Sequence, residues 1–221
     1  MHLPALFQFL GGLAENNNRP WFIHNKPAFD ILQAEFIELV DDVGKRVAKF
    51  DRNIGPLDAK KSVFRIYRDV RFAKDKSPYK THLGAVIGTR NMSDKTRPIH
   101  YFHIDHNGTL LIAAGIYKPD PPVLKKVRDT IAAHPETVAK LLKNKRFVDT
   151  FGGFAAEERL SRPPQGYAAD LPHIDLIKNR HFFAETTLNL KKHKPKDLAA
   201  EIAETFKSAA PLLTWLRSAT K

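Results

Sequence analysis

The chain has 221 residues, 43% of them hydrophobic and 27% charged, which gives room for one full domain and excludes a wholly disordered chain or a membrane protein. It contains no cysteine, so disulfides, thiolate metal sites and cysteine nucleophiles are excluded, and a reducing compartment such as the cytoplasm is the expected setting. The net charge of +12 implies attraction to polyanions.

Residues 1–14 carry Leu3, Leu6, Phe7, Leu10 and Leu13 without a basic leader region, and read as a short amphipathic helix. No run approaches the roughly 18 apolar residues of a spanning helix, so no membrane partner is expected. A turn cluster at residues 15–20 leads to Trp21-Phe22. A long helix follows, with Asn25 as its cap and Pro27 in its first turn. Its apolar face is Phe29, Leu32, Phe36, Leu39, Val40, Val43, Val47 and Phe50 at spacings of three and four. Residues 51–58, with Gly55-Pro56, form a loop.

From residue 62 to 72 the pattern alternates, with Phe64, Ile66, Arg68, Val70 and Phe72 on one face and Val63, Arg65, Tyr67, Asp69 and Arg71 on the other, as a strand requires. Further strands are expected at 83–89, 99–105 and 110–117, the last two joined by a His106-Asn107-Gly108 hairpin turn. Helices are expected at 122–134 and 135–142. Irregular chain follows around Gly152-Gly153 and residues 163–166, then a short strand at 181–188 and a final helix at 196–216. The class is α+β: a single domain over 1–221, with a central, mainly antiparallel sheet of about four to five strands flanked by N-terminal and C-terminal helices.

Half of the net charge lies between Ala59 and His82, where eight basic residues face only Asp69 and Asp75. Guanidinium forks at Arg65, Arg68 and Arg71 suit phosphate or carboxylate, and Asp69 is placed to hold two arginines. Lys74, Lys76, Ser77, Tyr79, Lys80 and Thr81 add ammonium and hydroxyl donors, and Pro78 stiffens the loop that presents them. Tyr67 and Tyr79 are available for stacking.

The strings Asn17-Asn18-Arg19-Pro20-Trp21-Phe22 and Arg65-Ile66-Tyr67-Arg68-Asp69-Val70-Arg71-Phe72-Ala73-Lys74-Asp75-Lys76-Ser77-Pro78-Tyr79-Lys80-Thr81-His82 resemble the conserved-hypothetical family catalogued as domain of unknown function 2461. The likeness extends to Gly115-Ile116-Tyr117, the helix of Arg128, Phe151-Gly152-Gly153 and Pro164-Gln165-Gly166-Tyr167. Ala73 stands where the family usually has serine, Ala113-Ala114 where glycines are common, and Gln165 where arginine is usual. The resemblance implies family membership and carries no mechanism.

Three readings of the basic motif follow. The first is a binding surface for nucleic acid or a phosphate-bearing small molecule, using Arg65, Tyr67, Arg68, Arg71, Lys74, Lys76, Ser77, Tyr79 and Lys80. The second is an enzyme pocket for a small anionic substrate with Asp69 as acid, base or arginine orienter. The third is structural: Arg68 and Asp69 in a buried ion-pair network that packs the loop on residues 17–26. Neither a cofactor nor an oligomeric state follows from the residues. His100, His103, Asp105 and His106 invite a metal, but in a strand His100 points away from His103 and Asp105, so no metal site is expected. No phosphate-loop, dinucleotide, zinc-protease or hydrolase-elbow motif occurs. Glu157 and Glu158 read as helix-start acids, and Trp21-Phe22 as a core anchor in preference to a base-stacking pair.

Overall fold

The computed structural model describes residues 1–88, 95–156 and 158–221; the expected strand end at Thr89 and the Glu157 carboxylate lie outside them. Helix α1 (Leu3–Glu15) buries Leu6, Phe9, Leu10 and Leu13. Helix α2 (Arg19–Val47) begins six residues before the position that the sequence indicates for its cap. Asn18 accepts the Trp21 N–H at 3.0 Å and Pro20 occupies the first turn, so Pro27 lies inside the helix. An interior proline costs roughly 3 kcal/mol. The apolar stripe read from sequence offsets it: Phe29, Leu32, Phe36, Leu39, Val40, Val43 and Val47 are all buried, joined by Phe22 two turns earlier, whereas Phe50 lies beyond the helix end and is half-buried.

After a 3₁₀ turn (Arg52–Ile54) and a short helix α3 (Ala59–Ser62), the expected strand at residues 62–72 does not form. Only isolated antiparallel bridges occur there, Val63 to Ala85 and Tyr67 to Tyr79. The cause is local competition. Asp69 accepts the Arg71 N–H, Asp75 accepts the Ser77 N–H, and Lys76 and Lys80 donate to the Val70 and Arg65 carbonyls, so side chains take backbone groups that a ladder needs.

Strands β1 (His82–Ile87), β2 (Ile99–Asp105), β3 (Thr109–Ile116) and β4 (Phe182–Asn189) form one antiparallel sheet in the order β1-β2-β3-β4. The class is α+β, and the four strands among the described residues stand at the lower end of the expected count. In β2 the alternation is strict: His100, Phe102 and Ile104 are buried, and Tyr101, His103 and Asp105 face the other way. Asp105 holds the β2–β3 turn by accepting the N–H groups of Asn107 at 2.9 Å and Thr109 at 2.8 Å.

The described residues form two compact units, one within Met1–Arg90, Tyr101–Ile112 and Thr187–Ala203, the other within Asn91–His100, Ala113–Thr186 and Glu204–Lys221. In the first, α2 packs against α1, α3 and β1. In the second, α4 (Pro121–Ala133), α5 (Pro135–Leu142), α6 (Lys145–Phe151), α7 (Ile174–Ile177) and α9 (Ala210–Ala219) enclose Val127, Ile131, Val138, Phe147, Phe182 and Trp215. Gly115 in β3 is required by close approach: its φ is +138°, and a Cβ there would stand 2.3 Å from the Phe182 carbonyl oxygen. The final helix is split into α8 (Leu198–Ser208) and α9, because Pro211 enters the first turn of α9 and cannot continue α8.

Candidate functional site

Between α3 and β1 the chain runs out and back as an irregular arm, residues 63–81. Its start is tied to β1 by Phe64 N–H to Gly84 O at 2.9 Å, and its two sides are joined by Lys80 N–H to Ile66 O at 2.8 Å and Arg68 N–H to Pro78 O at 2.9 Å. The base is anchored on α2. Phe22 stacks on Tyr79 with ring centroids 4.2 Å apart and meets Tyr67 edge-on at 6.0 Å. The side chain of Asn17, just before α2, both donates to the Tyr79 carbonyl and accepts the Tyr79 N–H, each at 3.0 Å. Ile66 and Tyr79 are buried, which fixes the arm's root in the core.

Farther out the charges pair within the arm. Arg68 donates to Asp75 and to the Ser77 carbonyl, and Asp75 also accepts the Ser77 hydroxyl at 2.6 Å. These bonds hold the Asp75 carboxyl well below the usual range, with Ser77 the largest influence and Arg68 next. Arg71 forks onto Asp69 at 3.0 and 2.7 Å, and the Asp69 carboxyl is lowered to about 2 by those bonds. Asp69 therefore holds one arginine, and Arg68 pairs elsewhere. Lys76 donates to the Val70 carbonyl, while Lys80 donates to the Arg65 carbonyl and lies 5.3 Å over the Phe64 ring. Burial and the nearby Arg65 charge pull the Lys80 pKa down.

The sequence-derived candidates thus divide by position. Tyr79 is packed, Ser77 serves the internal network, and Arg68 is half-buried. Arg65, Tyr67, Asp69, Arg71, Lys74 and Lys76 are exposed, and Arg65 and Lys74 carry no ion pair among the described residues. The alternation that marks Phe72 as one of the apolar face breaks at this residue. Phe72 is 96% exposed at the arm's outer turn, with the Arg71 guanidinium 5.9 Å from its ring.

Where the arm returns to β1 lies a group that the sequence left unassembled. The His82 and His103 rings stand 4.8 Å apart, and the Tyr101 hydroxyl is 3.0 Å from His103 Nδ1. Burial, then the His103 and Lys80 charges, lower the His82 pKa to about 4, and burial pushes Tyr101 up to about 12. The imidazoles are consequently neutral near pH 7. Asp105 is committed to its turn, and among the described residues no group of three or more His, Asp or Glu is arranged to hold a metal.

A family model of conserved hypothetical proteins, DUF2461, matches residues 5–215. The chain belongs to this family. The match takes in the whole arm, both of its anchors Asn17 and Phe22, and all four strands. No match was found among curated proteins or solved structures. No helix among the described residues is long and apolar enough to cross a membrane.

Proposed function

We propose that this family member binds a nucleic-acid polyanion through the arm, with Arg65, Lys74 and Lys76 meeting phosphates and Phe72 and Tyr67 offering aromatic faces to bases. The observation that carries the reading is Phe72, 96% exposed among cations. An exposed aromatic within a basic surface is the composition that binds single strands by stacking and charge together. The root of the arm supports this division of labour: Asn17, Phe22 and the Arg68–Asp75 pair hold the arm rigid, which lowers the ordering cost of binding. An acid or base role for Asp69 has less support, because Arg71 keeps its carboxylate ionised far below neutral pH.

The test is a titration against fluorescent single-stranded and double-stranded oligonucleotides over a range of salt concentrations. Binding should weaken steeply with salt and favour the single strand. Removing Arg65 and Lys74 should reduce the salt slope by about one unit per lost contact, and Phe72→Ala should weaken single-strand binding by about 1–3 kcal/mol. Absence of binding at low salt contradicts the proposal.

A further inference from the structure

A different collection of cations lies within the second unit, around Asn179, which follows α7 and is 1% exposed. Arg128, from α4, donates to the Asn179 backbone carbonyl at 3.0 Å, and Arg159 donates from Nε to the Asn179 side-chain oxygen at 2.8 Å. That second bond fixes the amide's orientation, since the opposite flip would set an NH₂ group against an N–H donor. With the orientation fixed, Asn179 Nδ2 is buried with no acceptor among the described residues, and Arg128 Nε is buried with none among them either. A buried donor without an acceptor loses its bond to water and gains none in return, and native interiors rarely leave such groups without a reason.

The local charge is also unbalanced. Arg128 has no carboxylate partner among the described residues, and Arg180 is close enough for its charge to oppose that of Arg128. Burial is the larger influence that lowers the Arg128 pKa, and Tyr167 opposes it. The neighbouring carboxylates have other partners: Asp129 pairs with Lys125 at 2.6 Å and accepts the Tyr167 hydroxyl at 2.7 Å, Asp175 pairs with Lys178 at 3.0 Å while also feeling the Arg159 charge, and Glu158 lies 3.2 Å from His181 Nε2. Three guanidiniums that form no ion pair among the described residues, with two unmet donors, describe a receptor for an oxyanion.

We infer that Arg128, Arg159, Asn179 and Arg180 form a binding site for a small tetrahedral oxyanion of the phosphate class. The site is independent of the arm. A dianion answers three positive charges better than a single carboxylate does, and its several oxygens supply the acceptors that Arg128 Nε and Asn179 Nδ2 lack. Both nitrogens are covered from solvent, so seating the anion entails a local side-chain shift and makes the bound protein harder to unfold.

The experiment follows thermal unfolding and calorimetric titration with inorganic phosphate, with acetate as the carboxylate probe. The wild-type protein should be stabilised saturably by phosphate and more weakly by acetate. Arg180→Ala, at an exposed position, should keep its fold and lose about tenfold in phosphate affinity. Arg128→Lys, which keeps the charge and loses the fork, should also bind more weakly, and the arm variant Arg65→Ala should bind phosphate as the wild type does. If Arg128→Lys does not fold, Arg180→Ala carries the test. No saturable phosphate binding by the wild type, or undiminished binding by Arg180→Ala, overturns the inference. Loss of phosphate binding in Arg65→Ala alone places the anion on the arm and overturns it equally, whereas the oligonucleotide titration stands or falls separately.

Discussion

The arm and the Asn179 cluster are both rich in arginine, yet they handle positive charge in opposite ways. In the arm the partners are close in sequence: Arg71 takes Asp69 two residues away, Arg68 takes Asp75 seven away, and Lys76 takes the Val70 carbonyl six away. Around Asn179 the cations come from residues 128, 159 and 180, and Arg128 pairs with no carboxylate among the described residues. A dense run of charge can satisfy itself within its own loop, whereas cations assembled by the fold from distant positions meet only what the fold provides. The first region displays residual charge on a braced scaffold, and the second holds an unmet demand for an anion.

The bracing of the arm can be broken at its root. Phe22→Ala removes the ring that stacks on Tyr79 and packs on Phe29, and should cost about 3–5 kcal/mol in urea unfolding. The sheet face beside the arm's return gives a pH signature of the next size. An unfolded histidine takes its proton near pH 6.5, but His82 in the folded state does so only near 4. Between those values the unfolded state binds more protons, so stability present above pH 6.5 is lost as pH falls through the window. His103, also lowered by burial against the opposing Asp105 charge, acts in the same direction. The loss attributable to His82 should be roughly 2 kcal/mol after allowance for partial exposure, and His82→Gln should flatten the pH profile of urea unfolding.

Asn17→Ala, which leaves the N–H and carbonyl of Tyr79 without their partner, should cost about 1–2 kcal/mol and loosen the arm, read as faster amide exchange at Tyr79 and Lys80. The smallest effect is expected for Asp69→Ala. The Asp69–Arg71 pair is solvent-exposed, so thermal stability should not change, while the freed Arg71 should steepen the salt dependence of oligonucleotide binding. Unfolding of Asp69→Ala would instead make the pair part of the scaffold.

Much of the fold was legible where periodicity and turn chemistry agree. The buried stripe of α2, the bounds of β2 and α5, and the Asn107-Gly108 hairpin follow from spacing alone. The start of α2 was hidden because Asn18-Arg19-Pro20 and Asn25-Lys26-Pro27 offer the same cap chemistry twice, and packing of Phe22 on Tyr79 and Phe29 selects the first. The alternation at residues 62–72 correctly places Ile66 inside and Arg65 and Tyr67 outside, but short-range bonds from Asp69, Asp75, Lys76 and Lys80 replace the ladder. The arm's residues stand in one run and could be named in advance. Nothing in sequence spacing links Arg128, Arg159 and Asn179, whose association appears only once α4 and the segment after α7 are folded.

The contrast is tested most directly by one crossed titration, in which the wild type, Phe72→Ala with Arg65→Ala and Lys74→Ala, and Arg180→Ala are each titrated with a single-stranded oligonucleotide and with inorganic phosphate. The arm variant should lose the oligonucleotide and keep phosphate, and Arg180→Ala should do the reverse. If both variants lose both ligands equally, or neither variant loses either, the two regions do not have the separate roles assigned to them.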